Sequence, residues 1–352
     1  MRLSRRAWTL VAAALVLVLG AGGFATWRYT DLFVPDRLCD GAVATKDVRR
    51  ILGDGRLEVV QSRLAKDRAE AGGDCVIEAA NGADLTLRSH GVRPDDERSP
   101  VDPAMSQPDR GPIGAFGNDT GWLMLPAGCR KAAGGATDRF PDRDADVLSA
   151  DVRHRGKHGL IWQDAPSKET PDQEARTALA RLAGDFGAAL ARSSGCGSDT
   201  VPDMHLTAPG PPVAPATDGR LCGLPGVATG GNRQELAERV GDPAAPLQSC
   251  WVYVQTLSEP AFGFTATTDT RYPALVATRE RLNAPLSAGW RGTGANTTIR
   301  VPCGKDDLLL HLTTGRPDLI EPTGATAYTS RLFSSWADAV AAQRGCEPVA
   351  PK

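Results

Sequence analysis

The sequence is short of the residue types that most chemistry needs. Aromatics make up 5% of its 352 residues, and it holds 5 histidines, 4 tyrosines and 4 methionines. Histidine is the commonest metal ligand and the usual general base near neutral pH, yet none of His90, His154, His158, His205 and His311 stands in a metal or triad signature. His154 and His158 are four residues apart, but Gly156 and Gly159 interrupt a segment that reads as strand and turn rather than helix. A surplus of one charge is also missing: 40 Lys and Arg stand against 42 Asp and Glu, for a net charge of -2. That balance supplies no broad positive field to displace counterions from phosphate, which argues against nucleic acid as a partner.

Catalytic motifs are missing in the same way. No Gly-x-Ser-x-Gly or Ser-x-x-Lys pattern falls at a strand-to-helix turn, and no Cys-x-x-Cys pair is present. The run Gly292-Thr293-Gly294-Ala295-Asn296-Thr297-Thr298 lacks the Gly-Lys-Ser/Thr ending of a phosphate loop and leads into a strand, so it reads as a hairpin turn. Asp142, Asp144 and Asp146, like Asp306 and Asp307, are acidic groups that calcium binding or acid-base work could use, but they read as solvated loop surface. The expectation is no catalytic residue, no metal and no cofactor. The alternative is an envelope hydrolase whose carboxylate site the sequence does not reveal.

What is present speaks to organisation. The chain is long for one domain and ample for two, and 41% hydrophobic with 23% charged residues suits a chain that buries cores. Ala7 to Trp27 is an uncharged run of 21 residues, enough to span a hydrocarbon core as a helix. Arg2, Arg5 and Arg6 precede it, whereas Arg28 is soon balanced by Asp31, so the positive-inside bias keeps residues 1–6 cytoplasmic and exports the remainder. The competing reading is a cleaved signal peptide, with Gly23 and Ala25 as small residues at a suitable spacing. The expected localisation is thus a single-pass protein of the cell membrane with its domains outside.

The eight cysteines are even in number within a segment read as extracytoplasmic, which points to disulfides. Split four and four, their intervals are 36, 54 and 67 residues in the first half and 28, 53 and 43 in the second. Arg37-Leu38-Cys39 matches Arg220-Leu221-Cys222, and Val43-Ala44-Thr45 matches Val227-Ala228-Thr229. The second cysteine opens an apolar strand in each half, the third follows a strand ending in proline, and the fourth follows a glycine, as Gly195-Cys196 and Gly345-Cys346. Four cysteines allow three pairings per half. The pairing adopted is Cys39 with Cys75, Cys129 with Cys196, Cys222 with Cys250 and Cys303 with Cys346, which ties the opening segment to a core strand and a closing helix to a strand end.

The expected fold class is therefore α+β: after one transmembrane helix, two tandem, diverged copies of an antiparallel-sheet domain with a short N-terminal helix and a long C-terminal helix. The opening helices are read from Thr45 to Gly53 and from Asn232, paired with Glu235, to Gly241. The closing helices are read from Leu179, Leu182, Phe186 and Leu190, and from Tyr328, Leu332, Trp336 and Val340, at spacings that make one apolar face. The domains run 36–198 and 220–348. The linker 199–219 carries Pro202, Pro209, Pro211, Pro212 and Pro215, and a second irregular stretch, 93–121, lies inside the first copy. Trp251 and Trp336 read as core, whereas Trp290 in Ala288-Gly289-Trp290-Arg291-Gly292 reads as a possible surface contact.

A basic N-terminal anchor followed by domains framed by Arg-Leu-Cys and Gly-Cys resembles uncharacterised actinobacterial cell-envelope proteins. Over Arg37 to Cys196 and Arg220 to Cys346 it is loosely similar to disulfide-bonded envelope lipoproteins and sensor ectodomains. The resemblance implies a non-catalytic binding, sensory or scaffolding role outside the cytoplasm. The implied partner is an envelope protein or a small ligand, and no site residue transfers.

Overall fold

The computed structural model describes residues 34–64, 73–91, 102–125, 146–154, 172–196, 204–216, 220–227, 236–254, 260–269, 272, 286–295, 297–314 and 325–350. Their elements are mostly antiparallel strands. The first half opens with a hairpin, β1 (Arg37–Leu38) and β2 (Val43–Ala44), and helix α1 (Thr45–Leu52). It continues through β3 (Leu57–Arg63), β4 (Asp74–Ala79), β5 (Ala83–Gly91), β6 (Gly114–Phe116), β7 (Thr120–Met124), β8 (Asp146–His154) and helix α2 (Gln173–Ser194). The second half holds β9 (Ala214–Pro215), the hairpin β10 (Arg220–Leu221) and β11 (Leu224–Pro225), β12 (Leu236–Val240), β13 (Gln248–Val254) and β14 (Pro260–Thr267). It ends with β15 (Thr293–Ala295), β16 (Thr298–Cys303), β17 (Asp306–Thr314) and helix α3 (Ala325–Gln343).

Two large sheets organise the chain. The six-stranded sheet has the order β3-β4-β5-β8-β7-β6, and the seven-stranded sheet has the order β15-β16-β17-β14-β13-β12-β9. Read from β12, the second repeats the strand order of the first and adds β9 at its edge. The entry hairpins also match in backbone: Cys39 and Asp40 have φ of 55° and 56°, and Cys222 and Gly223 have φ of 58° and 70°. This left-handed conformation is costly for a residue with a Cβ. In each half, that cysteine is held by a disulfide to the second strand of the sheet. Cys39 bonds Cys75, Cys222 bonds Cys250, and Cys303 bonds Cys346, with Cα separations of 5.9, 5.5 and 5.1 Å. Cys196 is also disulfide-bonded, and Cys129, its expected partner, lies outside the described residues.

Apolar alternation explains which face of each sheet is covered. In β4 and β5, Cys75, Ile77, Leu85 and Leu87 point to one side and are fully buried under α1 and α2. Helix α2 begins where the Asp172 carboxylate accepts the Glu174 and Ala175 N–H groups, each at 3.0 Å, and stops at Gly195, whose φ of 65° admits the left-handed cap. Its Leu179, Leu182 and Phe186 face the sheet fully buried. Each such side chain contributes about 1.5 to 3 kcal/mol through burial. In the second half, Phe262 and Phe264 of β14 meet Tyr328 and Trp336 of α3, with ring centroids 5.9 and 4.9 Å apart.

Two expectations are corrected. The α+β plan gives way to a mainly antiparallel fold, whose described residues hold three helices of 8, 22 and 19 residues. The halves do not share a frame of short helix, strands and long helix. Where the second was to carry its opening helix, Leu236–Val240 is a strand paired with β13 on one side and β9 on the other. Tertiary pairing on both edges outweighs the local capping signal at Asn232, which lies outside the described residues. The single-pass membrane localisation does not stand either, because no helix among the described residues is long and apolar enough to cross a membrane. The stretch 7–27, on which that expectation rested, and the tail 1–6 lie outside the described residues.

A candidate binding site at the seam between the halves

The irregular stretch before β6 and the proline-rich linker hold each other in place. Pro108 bridges Leu206, the Asp109 N–H donates to the His205 carbonyl at 2.8 Å, and the Thr207 N–H donates to the Gln107 carbonyl at 2.7 Å. Further on, the Gly210 N–H donates to Pro103 at 2.8 Å. A Cβ at Gly210 would lie 2.4 Å from the Val240 oxygen and 2.6 Å from the Pro103 oxygen, so only glycine lets the linker pass between β12 and the first half. The linker then adds β9 to the free edge of β12, where Pro215 needs no ladder N–H.

Gln107 makes the central contact. Its Nε2 donates to the Leu247 carbonyl at 2.7 Å, and its Oε1 accepts the Leu247 N–H at 2.9 Å. Gln107 is 3% exposed and Leu247 1%, so the amide side chain serves as a one-residue strand partner across the seam. From below, Arg176 in the first turns of α2 fixes the same loop. Its Nη1 donates to the Ala104 carbonyl at 2.6 Å, and its Nε donates to Asn118 Oδ1 at 2.8 Å. Burial lowers the Arg176 pKa, opposed by the Asp102 carboxylate. Burial raises the Asp102 pKa, opposed by the Ala104 N–H and then by Arg239 and Arg176. A carboxylate of the first half therefore sits among one guanidinium from each half, with Tyr253 of β13 close enough to feel its charge.

A cavity of about 220 Å³ opens beside Gln107. It is walled by the loop from Gln107 to Gly114 and, across the seam, by Pro246, Leu247 and Asp269. Asp109 and Arg110 stand exposed at its rim. Three half-buried carboxylates have raised pKa values, Asp102, Asp185 and Glu238, and desolvation is the leading cause in each. They do not converge. Asp185 lies 3.4 Å from Arg37, and Glu238 accepts the Cys222 N–H at 2.5 Å. Cys222, Cys250 and Glu238 gather within ligand distance of one another, but the two sulfurs are spent on their disulfide.

A second polar layer lies on the face of the seven-stranded sheet away from α3. Ser249 opposes Thr265, which opposes His311, which in turn opposes Thr298. His311 Nδ1 is 2.8 Å from Thr298 Oγ1, and its Nε2 is 3.2 Å from Thr313 Oγ1. Burial lowers its pKa to about 4, which keeps the imidazole neutral. Ser249 and Thr265 are each 1% exposed, and the hydroxyl of Tyr272 lies beside Thr265. Among the described residues, Ser249 Oγ and the Trp251 indole N–H complete no hydrogen bond.

The residues singled out from the sequence scatter over this frame. Gly292 to Thr298 spans the β15–β16 hairpin, with Ala295 opposite Thr298. Asp306 and Asp307 begin β17 and are exposed, and Asp146 and His154 are the ends of β8. Asp142, Asp144 and His158 lie outside the described residues. Trp290 does not stand free: it is half-buried, and its ring lies 6.1 Å from Phe333. The seam residues Asp102, Gln107 and Arg176 carried no sequence motif; the one signal was the length of the irregular stretch 93–121. Comparisons of the chain with protein-family models, with curated proteins and with solved structures find no match.

Proposed function

We propose that this is a non-catalytic, extracytoplasmic binding protein of the bacterial cell envelope whose two halves hold a small ligand at their seam. The observation that carries this reading is the cavity beside Gln107, built jointly by a loop of the first half and by Pro246, Leu247 and Asp269 of the second. Such a site responds to its ligand by changing how the halves are coupled, which suits sensing or scaffolding. The disulfides support an oxidising compartment, since thiols stay reduced in the cytosol. The separate placement of the three desolvated carboxylates supports binding over hydrolysis, because acid-base pairs need convergent groups.

Fragment titration followed by amide NMR tests the proposal. Saturable shifts should concentrate at Gln107, Ile113 and Leu247. Turnover of chromogenic ester, phosphate or glycoside substrates that is lost in Asp102→Asn would replace the binding reading with a catalytic one.

A further inference from the structure

Resting on that reading of the cavity, we propose that its ligand is a small zwitterion, an α-amino acid with an apolar side chain. The walls present both signs of charge beside an apolar surface. Arg110 and Asp109 are adjacent on the loop, Asp269 stands on the opposite wall, and Pro112, Ile113, Pro246 and Leu247 supply the apolar lining. The side chains of Asp109 and Arg110 have no ion pair or hydrogen bond among the described residues, so they are uncommitted. Their backbone is nonetheless fixed, because the Asp109 N–H bonds His205 and the neighbouring Gln107 is clamped to Leu247. The backbone carrying the two opposite charges is thereby set, and the charges do not fold onto each other.

A ligand with one charge would pair with one of these groups and leave the other without a partner. A zwitterion satisfies both: its carboxylate takes a bidentate contact from the Arg110 guanidinium, and its ammonium meets Asp109. The size agrees. About 220 Å³ falls below the roughly 300 to 1,000 Å³ of drug-sized sites. That leaves room for a single amino acid rather than an extended peptide.

Isothermal titration of the whole chain with L-leucine, 4-methylpentanoate and 3-methylbutylamine tests this. The two analogues lack the ammonium and the carboxylate respectively. L-leucine should bind at one site, with each analogue at least about tenfold weaker, about 1.4 kcal/mol. In Arg110→Gln, whose target is exposed and unpaired, the amine should bind as well as L-leucine. An analogue equal to L-leucine on the unaltered protein overturns the zwitterion assignment. So does a failure of L-leucine to bind while fragments still shift Leu247 and Ile113, and that outcome leaves the binding reading intact. No occupancy by any fragment removes both.

Discussion

Replacing Gln107 by leucine tests whether one amide side chain couples the halves. The substitution keeps an apolar side chain of similar bulk and removes both hydrogen bonds to Leu247, of 2.7 and 2.9 Å. Leu247 is 1% exposed, so its N–H and C=O are left buried without partners. Each orphaned backbone group costs about 1 to 3 kcal/mol, which sets a range of about 2 to 6 kcal/mol. A water entering beside the 220 Å³ cavity would recover part of one bond, so the expected loss is about 3 kcal/mol. Urea unfolding followed by tryptophan fluorescence measures that loss. Native-state hydrogen exchange at the Leu247 amide locates it, since protection there should fall further than in β4 or β14. A loss under about 0.5 kcal/mol with Leu247 still protected would refute the clamp, because neither group could then have depended on Gln107.

Other outcomes follow from single contacts. Gly210→Ala pushes a methyl against two backbone oxygens and should cost about 1 to 3 kcal/mol, with a lower thermal midpoint and faster exchange at the β9 and β12 amides. Ser249→Ala removes a buried hydroxyl that completes no hydrogen bond among the described residues and should raise stability by about 1 kcal/mol in urea; a loss of that size would show that the hydroxyl is satisfied. His311, with a folded pKa of about 4 against 6.5 unfolded, contributes stability that is present above pH 6.5 and lost as pH falls toward 4. The shift of 2.5 units corresponds to roughly 3 kcal/mol. His311→Gln should therefore flatten the stability profile between pH 7 and pH 4 relative to the unaltered chain, and equal slopes would sink the assignment.

The contrast between what the sequence showed and what it hid follows from the range of the interactions. Apolar periodicity marked Leu179, Leu182 and Phe186 as one helix face because neighbours three and four apart share a face whatever packs on them. The Arg-Leu-Cys segments were legible for a similar reason, since each hairpin is a local backbone event. Asn232 and Glu235 misled because a capping pair is only a local preference, worth about 1 kcal/mol. A strand at Leu236–Val240 gains ladder bonds to both β13 and β9, one of them more than 20 residues away in sequence. The seam was invisible from the same cause carried further. Gln107 meets Leu247 across 140 residues, and nothing in the local composition of either segment encodes the meeting.

The shared strand order gives each half a complete sheet with its own helix cover, so neither needs the other to bury its core. The joining contacts are of a different kind: hydrogen bonds from loops, a glycine-sized gap at Gly210, and a half-buried carboxylate among two guanidiniums from opposite halves. Polar contacts of this sort specify one geometry but add little net stability, because each group surrenders hydration to make them. A seam built this way is well placed relative to the cores and only weakly committed. On the proposed binding reading, ligand contacts worth a few kcal/mol at the cavity beside Gln107 would be enough to shift how firmly the halves are held together.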